Sequence, residues 1–598
     1  MRVSDYIAQQ LANFGVRHVF MVTGGGAMFL NHSLGKHPQI TPVFNHHEQA
    51  CAMAAEGYAR ITNHPSIINV TTGPGGINAL NGVFGAFTDS LPMVILSGQV
   101  KRKTYIRSYN LSDLRQLGDQ EVDIISMVRG ITKYAVTITE PQTIRYHLEK
   151  AWYLAQSGRP GPCWLDIPID VQSSHIDETE LEGFVSNSKP EIVTDQLRVS
   201  VSETLSRLKN AQRPVVLAGT GVRLAGAVDV FNRVTNKLGI PVTTGWTHDL
   251  IDSDNPIFVG RPGTIGTRPG NFAVQNSDVL LVIGNRLNIR QTGYMFKSFA
   301  RFAYKIWVDV DPAEFHRPTI KPDFPIVSDA KLFLDELERQ LNDWDSTRFT
   351  GWLNWCKERQ ERYPAVLPKH REFNGKINPY HFMEILFESL ESDDAVVCGN
   401  GTATVVTFQV AKIKLGQRLW ANSGSASMGY DLPAAIGAAI ARNGKRTICI
   451  AGDGSILMNI QELQTVVQHN LPIKIFVLNN NGYLSIRQSQ KAFFGDVVGE
   501  SANSGVSLPK FTKVAQAFGI ENISVNQKDF ASIINKVLNT PGPTLCDVVL
   551  DPDQGFEPKQ SSRQLPDGRI VSAPLEDLFP FLDRDELGRN LLIPSWVE

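Results

Sequence analysis

Cys449-Ile450-Ala451-Gly452-Asp453-Gly454-Ser455, followed downstream by Leu471 to Tyr483 (LPIKIFVLNNNGY), decides the fold of this chain. Cys449-Ile450-Ala451 reads as the end of a buried strand, and Asn459 to Asn470 carries the apolar spacing of a helix that starts just beyond the turn. Leu471 to Leu478 reads as the next strand. That order puts Asp453 and Asn480 at the carboxyl ends of neighbouring parallel strands, where open α/β sheets bind their ligands. An Asp carboxylate, an Asn amide oxygen and a backbone carbonyl such as that of Gly482 are hard oxygen ligands suited to Mg²⁺, and diphosphate oxygens and water can fill its other positions. The glycines let the backbone approach closely, and a helix N-terminus favours an anion. The competing reading is a plain strand-turn-helix connection whose Asp only caps the helix. The Asn-rich strand end at the matching distance weighs against it.

A second segment adds to this. Residues 44 to 60 read FNHHEQACAMAAEGYAR, and a strand INVTTGPGG and then DSLPMVILSGQV follow. From Gln49 to Tyr58 the small residues sit at helical spacing, so Glu48 falls at or before the first turn of a tightly packed helix. The bland alternative makes Glu48 a helix-start carboxylate stabilised by the macrodipole. Together the two segments resemble thiamine diphosphate (ThDP) enzymes. The resemblance implies that Asp453, Asn480 and Gly482 hold the metal, and that Glu48 hydrogen-bonds the aminopyrimidine ring so that the cofactor can activate itself. His46 and His47 precede Glu48; they could assist proton transfer, but read first as solvated or hydrogen-bonded structural histidines.

The chain has 598 residues, 42% of them hydrophobic, which is too long for one domain. Its formal charge of −2 gives no electrostatic footprint for nucleic acid. Six cysteines are scattered without a CxxC pair, so buried thiols in a reducing compartment are expected rather than a disulfide frame or a zinc site. Met1 to Phe20 lacks a signal-peptide core and no apolar run reaches membrane-spanning length, so the expected location is cytoplasmic, without a membrane partner.

The punctuation of the chain divides it into α/β units at 1–175, 195–345 and 375–550, with a tail at 551–598. A polar acidic stretch, SHIDETELEGFVSNSKPE, reads as the linker after the first unit. A charged, Trp-bearing helical segment around Trp352 to Arg362 leads into the third. The resemblance to acetolactate-synthase-like ThDP enzymes covers nearly the whole chain. It implies three doubly wound parallel-sheet domains: pyrimidine-binding, central FAD-binding type, and diphosphate-binding. In that family the cofactor lies between subunits, so a homo-oligomer is implied.

The central unit raises the question of a second cofactor. Gly219-Thr220-Gly221 follows a strand, though a lone GxG is a weak sign. Together with Thr243, Gly263, Thr264, Gly284, Arg286, Arg290 and Asp309 it resembles, in order, the FAD contacts of acetolactate synthases, and Arg159 and Asp329 match two further positions. Retained arginines favour bound FAD, against a domain that kept its fold after losing the flavin. Such a flavin would be structural, because carboligation moves no net electrons.

The remaining site residues follow the family pattern. Met428 matches the residue that supports ThDP in its bent form, Asn400, Gly401 and Thr402 match cofactor contacts, and Gly454 and Ser455 match phosphate contacts. Gly26, beside Gly25, matches the substrate approach, and Gln120 a Gln that faces substrate. Departures cluster around the acceptor: Asp119 where synthases carry Phe, Ile169 where they carry Lys, and Ser489 where they carry Trp. Losing an aromatic wall and a cation should enlarge and repolarise the pocket. The activity implied is decarboxylation of pyruvate and transfer of its acetyl unit to a carbonyl acceptor. That acceptor is a second 2-keto acid or a ketone of a nucleotide-linked sugar. The alternatives are a flavin-dependent pyruvate oxidase, which would yield peroxide, and a simple 2-keto acid decarboxylase.

Overall fold

The computed structural model describes residues 1–109, 111, 113–186, 192–245, 249–564 and 567–596. Residues 187–191, which end the stretch read as a linker, lie outside the described residues.

The apolar runs form three six-stranded parallel sheets. The first runs, edge to edge, Thr41–Phe44, His18–Met21, Ser66–Val70, Met93–Gln99, Pro162–Pro168, Tyr134–Thr137. In the third the order is Arg418–Trp420, Ala395–Cys398, Thr447–Gly452, Ile473–Asn479, Thr544–Val549, Glu521–Val525. Numbered within their own units, both sheets read 2-1-3-4-6-5. The second reads 3-2-1-4-5-6, with Pro214–Ala218 and Val279–Ile283 at its centre. Helices cover both faces, which is why central strands such as Met93–Gln99 and Pro162–Pro168 are buried at every residue rather than alternately. Each aliphatic side chain fully buried there contributes about 1.5–3 kcal/mol.

The sheet order predicts where ligands go. In each sheet the strand order reverses next to the unit's first strand, and the loops at that switch point spread apart. In the first unit those loops carry Gly24 to Gly26 and Thr71 to Gly75; in the second, Gly219 to Gly221 and Gly284 to Arg286; in the third, Gly399 to Thr402 and Asp453 to Ser455.

The first and third units share one core. It joins the helix Glu48–Thr62 to the helix Asp431–Ala441, with Met53, Ala54, Ile436 and Ala438 among its fully buried residues. The chain after residue 550 packs back across the second and third units. Leu575 enters the core of the second beside Trp307 and Phe299, and Glu576 accepts from Gln275 Nε2 at 2.5 Å and from Arg301 Nη1 at 2.8 Å. All six cysteines are buried and free. No helix among the described residues is long and apolar enough to cross a membrane.

Candidate active site

Asp453 opens a short helix, Asp453–Ile456, directly at the end of its strand. It is 3% exposed, and its carboxylate accepts from Gly454 N at 2.7 Å and from Gly482 N at 3.0 Å. Burial pushes its pKa up to about 6 against the pull of those backbone donors. Asn480 follows directly on the adjacent strand, Ile473–Asn479. Its Nδ2 donates to Thr402 Oγ1 at 3.1 Å, while its Oδ1 is buried with no hydrogen-bond partner among the described residues. An orphaned amide oxygen beside a desolvated carboxylate is what a hard cation would satisfy, so these residues fit Mg²⁺. Among the described residues no cluster of three His, Cys, Asp or Glu stands ready for a metal; the set here is one carboxylate, one amide and the backbone.

Two glycines of the turn have no substitute. A β-carbon on Gly454 would lie 2.1 Å from the Tyr483 ring, and one on Gly482, at φ +129°, would lie 1.9 Å from the Glu500 carbonyl oxygen. The turn is clamped from behind by Arg487, which donates to Glu500 Oε2 at 2.6 Å, Asn481 O at 2.9 Å and Pro552 O at 2.8 Å. Sequence reading missed Arg487 and Glu500, since an arginine inside a polar helix and a glutamate in a distant loop carry no shared signal. The Ser455 hydroxyl donates to the fully buried Asp431 at 2.7 Å and accepts from Gly429 N at 2.8 Å. It therefore ties the half-buried Met428 loop to the Asp453 turn, and its side chain is already committed. Gly401, at φ +61°, and Asn400, whose Nδ2 donates to Ala426 O, complete this rim.

The first unit assembles the other group. His47 caps the helix, its Nδ1 accepting from Gln49 N at 3.1 Å, so Glu48 is the first helical residue. The Glu48 carboxylate is 9% exposed and accepts from Asn78 Nδ2 at 3.0 Å. A β-carbon on Gly75 would sit 3.3 Å from Glu48 Oε1, one on Gly26 would sit 1.8 Å from Thr72 Oγ1, and one on Gly73 would sit 2.1 Å from Gln120 O. Gly26 N donates to Thr71 Oγ1 at 3.1 Å. Glu48, Gly26 and Gln120, far apart in sequence, thus gather around the single turn Thr71 to Gly75. Gln120 is exposed, at φ +62°. Asn45 Nδ2 and His46 N donate to Glu462 of the third unit at 2.8 and 2.9 Å, a contact across units that the sequence did not signal.

A cavity of about 800 Å³ opens where the three units meet, within the size range of small-molecule sites. Arg159, Thr220, Gly221, Gly284, Arg286, Asp309 and Asp329 line it. Gly219, Thr243, Gly263, Thr264 and Arg290 do not. Gly219 packs on the Gly284 carbonyl, Thr243 Oγ1 donates to Val216 O at 3.0 Å, and Thr264 exchanges backbone bonds with Arg290 and Gln560. The cavity fits an elongated nucleotide such as FAD in size and in its mixed polar and apolar lining. Its arginines already have partners: Arg159 pairs with Asp311 at 3.0 Å and Glu314 at 2.7 Å, and Arg286 donates to Thr88 O at 2.6 Å beside Asp89. A diphosphate held there would displace or share those ion pairs. Asp329 caps the helix after its strand by accepting from Lys331 N and Leu332 N, and burial pushes Asp309 up to about 6.

Comparison with known families matches this architecture unit by unit. Residues 1–127 match the thiamine pyrophosphate enzyme N-terminal TPP binding domain, 201–337 the central domain, and 399–548 the C-terminal TPP binding domain. The chain is 31% identical to acetolactate synthase 1, chloroplastic, of Zea mays, over 92% of this chain and 85% of that one. It is 31% identical to the acetolactate synthase large subunit of Cyanidium caldarium (92% and 94%) and to the probable acetolactate synthase large subunit of Methanocaldococcus jannaschii (93% and 93%). Three matched domains in register with three sheets, together with relatives aligned along nearly the full chain, place this protein in the thiamine pyrophosphate enzyme family, as an enzyme of the acetolactate-synthase type.

Proposed function

We propose that this enzyme decarboxylates pyruvate and transfers the resulting two-carbon acetyl unit to a carbonyl acceptor, and that the acceptor is a bulky ketone, such as that of a nucleotide-linked sugar, in preference to a second 2-keto acid. The observation that carries the preference is Ser489. It is exposed on the helix Leu484–Phe494 that leaves the metal turn directly, at the position where the synthases it resembles carry Trp. Ile169, in place of their Lys, removes a cation that a keto-acid carboxylate would use.

Asp453, Asn480 and the Gly482 carbonyl would hold Mg²⁺, which neutralises the diphosphate of ThDP. ThDP, when bound, supplies an electron sink for the carboxylate lost as CO₂. Glu48 holds a proton at its carboxylate for exchange with the cofactor's pyrimidine, kept in place by Asn78. Gln120 orients the donor keto acid from its exposed loop, and Gly26 leaves room for it to approach. The protein's contribution is orientation of two carbonyls and exclusion of water.

Completion of the site requires a second copy of the chain in this reading. The hydrogen bonds of Glu48 run within the first unit and those of Asp453 within the third. The helix Pro74–Thr88, which supplies Asn78, presents Ile77, Phe84 and Phe87 at 37–40% exposure, with Phe44 at 47% nearby in sequence to Glu48. Such an apolar face marks an association surface. FAD is proposed for the central cavity as a structural group. Flavin absorbance released on denaturation supports it; a colourless protein that gains no thermal stability from added FAD refutes it.

The acceptor reading is tested by product analysis of wild type and Ser489→Trp given pyruvate with and without a nucleotide-linked keto sugar. Refilling the wall should shift products toward acetolactate, since specificity is a difference of affinities. Efficient acetolactate formation by wild type, with every keto sugar ignored, defeats the preference.

A further inference from the structure

The end of the chain brings an unpaired cation to the helix that follows the metal turn. Lys559 is half-buried, and its ammonium donates to the Gln488 side-chain oxygen at 3.3 Å. Among the described residues no carboxylate forms an ion pair with it, and burial alone pushes its pKa down. A partly desolvated ammonium held by one long bond to a neutral amide is costly, and an anion would relieve that cost.

Its placement relates it to the reaction site. Ser485 Oγ lies 3.7 Å from where a β-carbon on Gly401 would be, and Gly401 adjoins Thr402, the partner of Asn480. Gln488 follows Ser485 by three residues, just under one helical turn and about 4.5 Å along the axis, and Ser489 is its neighbour. Gly555 packs so closely that a β-carbon would meet Gln488 Nε2 at 2.4 Å, which fixes the segment against this helix.

The same segment supplies aromatic surface. Lys559 N donates to Phe579 O at 2.9 Å and Phe579 N to Lys559 O at 2.7 Å. Residues that exchange both bonds in this way stand directly opposite each other, and their side chains leave on the same face. Phe579 is 44% exposed and meets Phe581, 52% exposed, edge to face at 6.1 Å between ring centroids. A cation and a solvent-facing ring therefore share one face of a single antiparallel bridge beside Gln488, and the Phe581 ring lies edge to face against that of Phe579.

We propose that Lys559 is a specificity-determining residue that binds the phosphoryl charge of the acceptor, with Phe579 and Phe581 offering the surface against which an aromatic base attached to that phosphate rests. This rests on the acceptor reading above and names the group that would carry it. A tether for the segment would work as well with an apolar residue at 559, whereas a charge receptor needs the ammonium.

The test uses the holoenzyme with ThDP and Mg²⁺ saturating. KM is measured separately for pyruvate and for a nucleoside-diphosphate-linked keto sugar, and inhibition is measured with the nucleoside diphosphate and with inorganic diphosphate, in wild type, Lys559→Met, Lys559→Arg and Gln488→Leu. Lys559→Met should raise the acceptor KM about 10-fold or more and weaken diphosphate inhibition alike, as loss of a charge-assisted bond does. Pyruvate KM should stay within about twofold, Lys559→Arg should retain most of the affinity, and Gln488→Leu, which keeps the ammonium but loses its neutral partner, should raise the acceptor KM much less than Lys559→Met does. Tighter inhibition by the nucleoside diphosphate than by inorganic diphosphate supports the aromatic contribution. An unchanged acceptor KM in Lys559→Met, or an equal loss in Gln488→Leu, overturns the assignment. If wild type takes no keto-sugar nucleotide yet is inhibited by the diphosphate in a Lys559-dependent way, the acceptor reading fails and the anion site stands. Absence of inhibition in wild type overturns the site itself.

Discussion

Gly437 lies against the carbonyl of Ala54 so closely that a β-carbon on it would be 1.8 Å from that oxygen, and Gly57 meets the Ala434 carbonyl in the same way at 2.2 Å. The two helices involved follow the second strand of the first and of the third unit, which share one strand order. Like units thus pack by like helices, backbone to backbone, and the helix that starts with Glu48 is held by this seam. Gly437→Val should force the helices apart and lower stability by about 3 kcal/mol or more, beyond an ordinary overpacking penalty because the obstacle is backbone. Thermal unfolding measures it; an unaltered midpoint would show that the seam yields freely.

The proposed sharing of the site between subunits has a genetic signature. Glu48→Gln and Asp453→Ala should each abolish carboligation alone. Co-expressed, random dimers should recover about a quarter of wild-type activity, because half the dimers carry one site built from the two intact faces. Recovery of none, with mixed dimers verified by mass, would place Glu48 and Asp453 in one chain's site.

Loss of the proposed metal ligand should separate binding from folding. Asp453→Ala removes the charge that would bridge diphosphate through Mg²⁺, so calorimetric titration should find ThDP affinity reduced about 100-fold or more, with the unfolding midpoint little altered. Equal affinity in both proteins would remove Asp453 from the metal site.

Asp249 supplies the pH dependence. Burial would raise its pKa, but Arg223 and Arg418, with Leu419 N, outweigh it and bring it from 3.8 to about 2. A carboxylate depressed in the folded state stabilises above its unfolded pKa and loses that contribution as pH falls toward the folded value, worth about 2 kcal/mol at neutral pH. Asp249→Asn should therefore be less stable than wild type at pH 6 to 8, with the gap narrowing below about pH 4. A gap independent of pH would assign the loss to packing.

Much of this arrangement was legible in the chain. Strands such as Met93–Gln99 and Ile473–Asn479 are built on short apolar runs, MVIL and IFVL, and the adjacency of Asp453 and Asn480 follows from parallel crossover geometry alone. The helix read from Asn459 to Asn470 is α-helical only over Leu463–Gln468: helix already begins at Asp453, and a 3₁₀ segment, Leu457–Glu462, kinks at Asn459, at φ −135°, where the side chain turns to donate to Gly429 O at 2.7 Å. A long-range hydrogen bond overrode the local period there. Arg487 with Glu500, Asn45 with Glu462 and the docking of the last segment were illegible for the same reason, since each pairs residues whose sequence neighbourhoods have nothing in common.

Isotope-labelled pyruvate given to the purified protein with ThDP and Mg²⁺, with and without a nucleotide-linked keto sugar, separates carboligation from the other fates of the two-carbon unit. The carboxyl label should leave as CO₂ and the remaining two carbons should appear in a new carbon-carbon bond to the ketone, without peroxide. Release of free acetaldehyde with no joined product, peroxide formed in step with CO₂, or no decarboxylation at all would contradict carboligation.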